Sequence, residues 1–261
     1  MADVAAPPIP PAPDLGAPPP RPDDGSPRGK TLAWPLSSWG GVDLLVVALA
    51  PFGVTLVAEI VLVGVFGLHG NGIGVLVTAL QQLAFFLIPV AWVRAKTGSV
   101  AALGLGRRSW TKADLFAGLG AGVGAVVLGG VIVVLTQVLW RALTGGSPAI
   151  RNPVVDFGDR WIWASAALAV FAAPLCEETL FRGFVFGGFR RRLRFLWAGL
   201  VSASLFGLAH ADPVRFVGLT AMGFVLAAAY ERRKTLIASI TAHFTANVLA
   251  VLALLATRGL R

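Results

Sequence analysis

The sequence predicts an all-α fold: a polytopic membrane bundle of seven or eight transmembrane helices behind a disordered, Pro-rich N-terminal tail. Three observations carry this. Hydrophobic residues make up 56% of the 261 residues and charged residues only 13%, against roughly 45–50% and 25% in an average soluble protein. Mean hydropathy is +0.76. From Val42 onward, apolar runs alternate with short polar breaks. Each run is about the 20 residues that cross roughly 30 Å of hydrocarbon at 1.5 Å per residue. Such a composition excludes an ordinary soluble enzyme, a disulfide scaffold and a disordered regulator. The lone Cys176 excludes an intrachain disulfide and a Cys-cluster zinc site.

Residues 1–40 hold 11 of the 17 prolines, including Pro7-Pro8, Pro10-Pro11 and Pro18-Pro19-Pro20. A segment of this kind buries too little apolar surface to offset its ordering entropy, so a disordered cytoplasmic tail is expected. It lacks the basic and apolar stretches of a secretory signal. Helices are expected near 42–67, 73–93, 113–139, 161–189, 195–210, 214–230 and 235–256, the fifth and sixth being short for full spans. In lipid these runs must satisfy their own backbone groups, which requires helices.

The charge of +9 (22 Lys and Arg against 13 Asp and Glu) would suggest nucleic acid in a soluble protein. Here the cations cluster in every second loop: Arg94, Lys96, Arg107, Arg108 and Lys112; Arg190, Arg191, Arg192 and Arg194; Arg232, Arg233 and Lys234. That alternation predicts an integral protein of the cell (inner) membrane with a cytoplasmic N-terminus, lipid as its surroundings and no nucleic-acid partner. The 140–160 loop, with Arg141, Arg151 and Arg160, departs from the alternation. Gly118, Gly120, Gly122 and Gly124 form overlapping small-xxx-small spacings, which predict close helix packing.

Ionisable groups inside membrane helices are expensive and mark candidate sites. They are Glu59 in the first helix, Glu177, Glu178 and Arg182 in the fourth, His210 at the end of the fifth, and His243 in the seventh, with Asn247 beside it. Arg182 follows Glu178 by four residues, the favourable order for an ion pair. Glu177 points about 100° away, has no cation on its own helix, and suits a general base. Pro174 predicts a kink near the site and a carbonyl freed one turn earlier. If the fourth and fifth helices form a hairpin with a tight turn at Leu193–Arg194, Glu177 and His210 both stand 16 residues from it, about 24 Å above. His243 and Asn247, four apart, share one face. Glu59 is expected either to pair with Gln81 or Gln82 or to face a water-filled cavity. His69 reads as an ordinary loop residue, and Cys176 faces away from the Glu177 side.

In this order on successive helices, Glu177-Glu178-x-x-x-Arg182, Phe206-x-x-x-His210 and His243-x-x-x-Asn247 resemble the three motifs of the CPBP family. Its members are the type II CAAX prenyl proteases and the bacteriocin-processing intramembrane proteases. The surroundings Pro174-x-x-Glu-Glu-x-x-Phe181-Arg182-Gly183 and Leu103-Gly104-Leu105 with Arg107-Arg108 are similar too. The resemblance covers roughly residues 95–250 and implies a transmembrane protease domain over 41–261, with its motifs in 174–247.

By resemblance, Glu177 and His210 activate a water and His243 with Asn247 stabilises the oxyanion. Glu178, Arg182 and Phe206 support them. The implied substrate is a membrane-associated or lipidated peptide or protein. A metal-independent site is favoured, because pairing His243 with Asn247 suits donors better than ligands and no HExxH is present. The alternative is a zinc ion held by Glu177, His210 and His243, in keeping with the family's older metalloprotease label. The competing class is a non-enzymatic membrane protein, either a proton-coupled transporter or an immunity or scaffold protein.

Overall fold

The computed structural model describes residues 39–106, 109–148 and 154–259. The Pro-rich segment 1–38, Arg107-Arg108 and Arg151 lie outside the described residues. Among these there are seven helical rods and no strand. They are α1 Gly41–Val65, α2 Asn71–Thr97, α3 Lys112–Thr144, α4 Asp159–Arg190, α5 Phe195–Ala209, α6 Phe216–Arg233 and α7 Leu236–Gly259. Rods α1, α2, α3, α4 and α7 are long and apolar enough to cross a membrane. As expected, α5 and α6 are shorter, at 15 and 18 residues. The chain is an integral membrane protein. Large apolar side chains such as Leu135 (61% exposed) and Val131 (53%) line its outer surface, a pattern that suits lipid and not water.

The rods alternate in direction, and one end is fastened by charge. Lys96 at the end of α2 meets Asp43 at the start of α1 at 2.6 Å. Arg233 at the end of α6 meets Asp114 at the start of α3 at 2.7 Å. Arg190 at the end of α4 meets Glu231 of α6 at 3.0 Å. This is the end that carries the basic loops. Exposed pairs of this kind are worth at most about 1 kcal/mol each. The Asp114 side chain, however, is fully buried, and it also accepts from the backbone N–H and hydroxyl of Thr111, capping α3.

Helix α3 lies against α6 and α7 along its glycines. A Cβ on Gly118 would strike Thr241 and the Ala238 carbonyl; on Gly122, the Ala242 carbonyl and Thr245 of α7; on Gly129, the Gly218 carbonyl of α6. Gly120 and Gly124 face open space. Of the glycine series, therefore, alternate members make the interface. Gly104 in the loop before α3 has φ +83°, and the Tyr230 ring of α6 fills the place of its missing Cβ. The Tyr230 hydroxyl donates to the Leu103 carbonyl at 3.1 Å, so the Leu103-Gly104-Leu105 segment is an inward-facing plug.

Helix α4 is the axis of the bundle and is not a regular α-helix. Its regular stretch Ala173–Glu178 is flanked by two widened, π-type stretches, Leu168–Ala172 and Thr179–Phe186. Widened turns leave carbonyls without their usual donors, and side chains of neighbouring elements take them up. Ser202 of α5 donates to the Phe181 carbonyl at 2.7 Å. Trp39 Nε1 donates to the Phe184 carbonyl at 3.3 Å. Trp39 is fully buried and stacks on Phe184 at 4.8 Å, although the sequence placed it in the tail.

We expect Gly122→Val to lower the thermal midpoint of detergent-purified protein markedly, since overpacking against backbone costs about 1–3 kcal/mol or more. Gly120→Val should leave the midpoint within about a degree or two, because surface changes stay near ±0.5 kcal/mol. Equal shifts would contradict the assignment of faces.

Candidate active site

The site begins with Pro174. Lacking an N–H, it cannot donate to a carbonyl four or five residues back. The Ala173 N–H, which would reach Ala169 in a regular helix, bonds Leu168 instead. Ala169 thus loses both ordinary donors, and Asn247 Nδ2 of α7 replaces them at 2.6 Å. The expected freed carbonyl exists, and its occupant is one of the predicted site residues. This bond fixes α7 against α4 about two turns before the two glutamates.

Beyond Pro174, the stretch Ala173–Glu178 carries Glu177 and Glu178 on different faces. Glu178 is fully buried. Its Oε1 accepts from Arg182 Nη1 at 2.7 Å, the predicted i,i+4 pair, and from His243 Nδ1 of α7 at 2.9 Å. Arg182 is fully buried too. Its Nη2 donates to the Gly223 carbonyl of α6 at 2.9 Å, and its guanidinium lies 4.5 Å over the Phe206 ring of α5. A Cβ at Gly223 would crowd Arg182, Ala203 and Phe206, which explains a glycine there. Buried ion pairs hold only when each charge finds further partners. Here one pair draws in α5, α6 and α7.

Glu177 is 7% exposed and is held differently. Its Oε1 accepts from Gln82 Nε2 of α2 at 2.8 Å. Its Oε2 makes no hydrogen bond among the described residues and lies 4.0 Å from His243 Nε2. Because His243 Nδ1 faces a carboxylate, Nδ1 carries a proton, and Nε2 is the ring nitrogen that faces Glu177. His210 bonds its own helix, Nδ1 donating to the Phe206 carbonyl at 2.8 Å, which leaves Nε2 as the nitrogen available to another partner. Phe206, fully buried, touches both rings: His210 at 4.8 Å and His243 at 5.6 Å between centroids. It also meets Phe181 edge-on at 5.4 Å.

Of the predicted residues, Glu177, Glu178, Arg182, Phe206 and His243 therefore form one buried cluster. His210 stands on its edge, its ring tilted against Phe206 without a direct hydrogen bond to Glu177, and Asn247 lies one turn beyond His243 on the Ala169 carbonyl. No group of three His, Cys, Asp or Glu placed to hold a metal ion is found among the described residues. Glu59 does not meet Gln82, which serves Glu177. It lines a separate cavity of about 530 Å³ between α1 and α2, with Gln81, His69 and Phe157.

Two residues escaped sequence reasoning. Gln82 was noticed only as a partner for Glu59, although adjacent amides in an apolar helix were themselves a signal. Asp212, buried two residues beyond His210, holds the turn that leads into α6 by accepting from the Val214 and Arg215 N–H groups at 3.0 Å each. It turns the chain sharply after His210, where Ala211 has φ +48°.

Residues 159–249, which include every motif residue of the cluster, match the model of the Rce1-like family of type II CAAX prenyl endopeptidases. The segment is CPBP-like. Over 79 residues the chain is 39% identical to the putative membrane peptidase YdiL of Bacillus subtilis (strain 168), a match covering 30% of this chain and 32% of that protein. The matched region thus spans about a third of the curated relative. No solved structure matches the chain significantly. The CPBP-like segment supplies Glu177, Glu178, Arg182, Phe206, His210, His243 and Asn247, whereas Gln82 comes from outside it.

Arg182→Ala should destabilise the protein by about 3–5 kcal/mol, because it leaves the Glu178 charge buried with one cation removed. The combined variant Arg182→Met with Glu178→Leu should recover much of that loss. Thermal unfolding in detergent measures both, and a double variant worse than Arg182→Ala would refute the pairing.

Proposed function

We propose that the protein is an intramembrane endopeptidase that hydrolyses a peptide bond of a membrane-associated or lipidated substrate by a glutamate-activated water. The observation that carries this is the Glu177 Oε2 atom. It is unengaged, buried in the CPBP-like segment, and 4.0 Å from His243 Nε2. One water oxygen making hydrogen bonds of about 2.8 Å to both atoms spans that separation with an angle of about 90° between them.

In the reaction, Glu177 accepts a water proton as the water oxygen bonds to the peptide carbon. The carbonyl π pair moves onto its oxygen. Collapse of this intermediate breaks the C–N bond, and Glu177 returns the proton to the leaving amine. His210, through Nε2, orients the water. When His243 Nε2 also carries a proton, the cluster holds two carboxylates and two cations, and that N–H donates to the oxyanion. Asn247 has two amide N–H groups; one holds Ala169 and the second serves the oxyanion. Donors preset in a low-dielectric site are worth most where charge develops.

That no three His, Cys, Asp or Glu side chains among the described residues are grouped to hold a metal ion supports a metal-independent mechanism. The depth of Glu177 in α4, 18 residues from Asp159 and 13 from Arg190, supports a substrate that enters the bilayer. The basic end of the bundle supports a cytoplasmic N-terminus in the cell membrane.

Purified protein with a quenched-fluorescence peptide library, including prenylated C-terminal peptides, should show cleavage. Glu177→Gln and His210→Ala should each lower it by about 10²–10⁴-fold. A chelator should leave the rate unchanged while metal analysis accounts for no stoichiometric ion. Equal rates in wild type and Glu177→Gln would overturn the proposal, and chelator-sensitive cleavage with one bound ion would replace its mechanism.

A further inference from the structure

Glu177 and Glu178 are adjacent, both buried, and supplied unequally. Both donors that reach Glu178 arise within the CPBP-like segment, from Arg182 and from His243 Nδ1. The remaining Arg182 arm is spent on the Gly223 carbonyl. Among the described residues no donor from the segment makes a hydrogen bond to Glu177. The one it receives comes from Gln82 of α2, 77 residues before the segment begins at 159. On the reading of Glu177 as the base, we propose that Gln82 is a positioning residue: its amide engages Oε1 and so leaves Oε2 as the oxygen that faces His243 and the water.

The physical reason is the symmetry of a carboxylate. Its two oxygens are equivalent, and its last torsion is broad and two-fold. A single donor on one oxygen removes the equivalence and selects the reacting atom. The amide orientation follows from charge, since only its N–H₂ end is compatible with a carboxylate oxygen at 2.8 Å. The position of Gln82 is itself fixed. One turn on, Phe85 packs edge-on against Phe181 of α4 at 5.9 Å and against Phe52 of α1 at 5.3 Å. Packing alone would not select glutamine at a site only 8% exposed, because burying an amide costs more than burying an apolar side chain of the same size. Gln81, its neighbour, lines the α1–α2 cavity instead and serves as an internal control.

The test uses full-length protein in detergent and a quenched peptide that the wild type cleaves. Gln82→Met keeps the volume and removes the donor; Gln82→His keeps a donor of similar reach. Gln82→Met is expected to lower kcat about 10–100-fold with KM within about 3-fold. Gln82→His is expected to retain kcat within about 5-fold, and Gln81→Met to match wild type. A purely structural role predicts the reverse order, with methionine tolerated and histidine not. A cycle of thermal midpoints needs no turnover: the shift caused by Gln82→Met should differ between the wild-type and Glu177→Leu backgrounds. Wild-type kcat in Gln82→Met, a rise in KM alone, or additive midpoint shifts would each overturn the inference. Coupled midpoints with full hydrolysis by Glu177→Gln would instead show that the hydrogen bond stands and that Glu177 is not the base.

Discussion

A single buried anion organises this bundle. Glu178 has no exposed side-chain surface, and an ionised carboxylate removed from water is tenable only with close, well-directed partners. It finds Arg182 one turn on in its own helix and His243 across the interface to α7. Arg182, equally buried, must in turn satisfy its own donors. Its Nη2 donates to the Gly223 carbonyl of α6 and its guanidinium lies over the ring of Phe206 in α5, while Nε makes no hydrogen bond among the described residues. Four helices meet because one charge pair cannot otherwise be kept out of water. Lipid offers no hydrophobic drive between helices, so polar contacts and close packing must supply the specificity.

The irregularity of α4 serves the same end. Its two widened stretches bracket the glutamates and present carbonyls outward, and Asn247, Ser202 and Trp39 each donate to one of them. A regular helix would have kept those carbonyls to itself, and the neighbours would have lost their directional attachment. Pro174 is the local cause at the upper stretch, where it removes the donor that Ala169 would have had at the wider spacing. The proline thus contributes to the attachment of α7 through Asn247.

Much of the bundle was legible in the sequence because lipid leaves few options. The seven apolar runs became seven rods with ends displaced by a few residues, and the i,i+4 spacing of Glu178 and Arg182 became an ion pair. Motif order on successive helices sufficed to bring Phe206 and His243 onto the glutamate helix. Periodicity could not show which glycines of α3 face a neighbour, since Gly118 and Gly120 read alike until α7 is in place. Nor could it show that Asn247 is engaged by a backbone carbonyl, because the widened turn that frees Ala169 is a departure from the regular geometry on which spacing arguments rest. Gln82 was hidden for a different reason: its partner lies 95 residues away, and nothing local distinguishes it from Gln81.

What results is a division of labour between two neighbouring acids. Glu178 takes two donors on Oε1 and holds the helices; Glu177 takes one, from Gln82, and its Oε2 faces His243. The most direct measurement of this central claim is an experimental density map of the detergent-solubilised protein at side-chain resolution. The account predicts His243 between the two carboxylates, with Nδ1 in hydrogen-bond contact with Glu178 and Nε2 within one water's span of Glu177. A map with His243 turned away from both, or with Glu177 pointing into lipid, would contradict it.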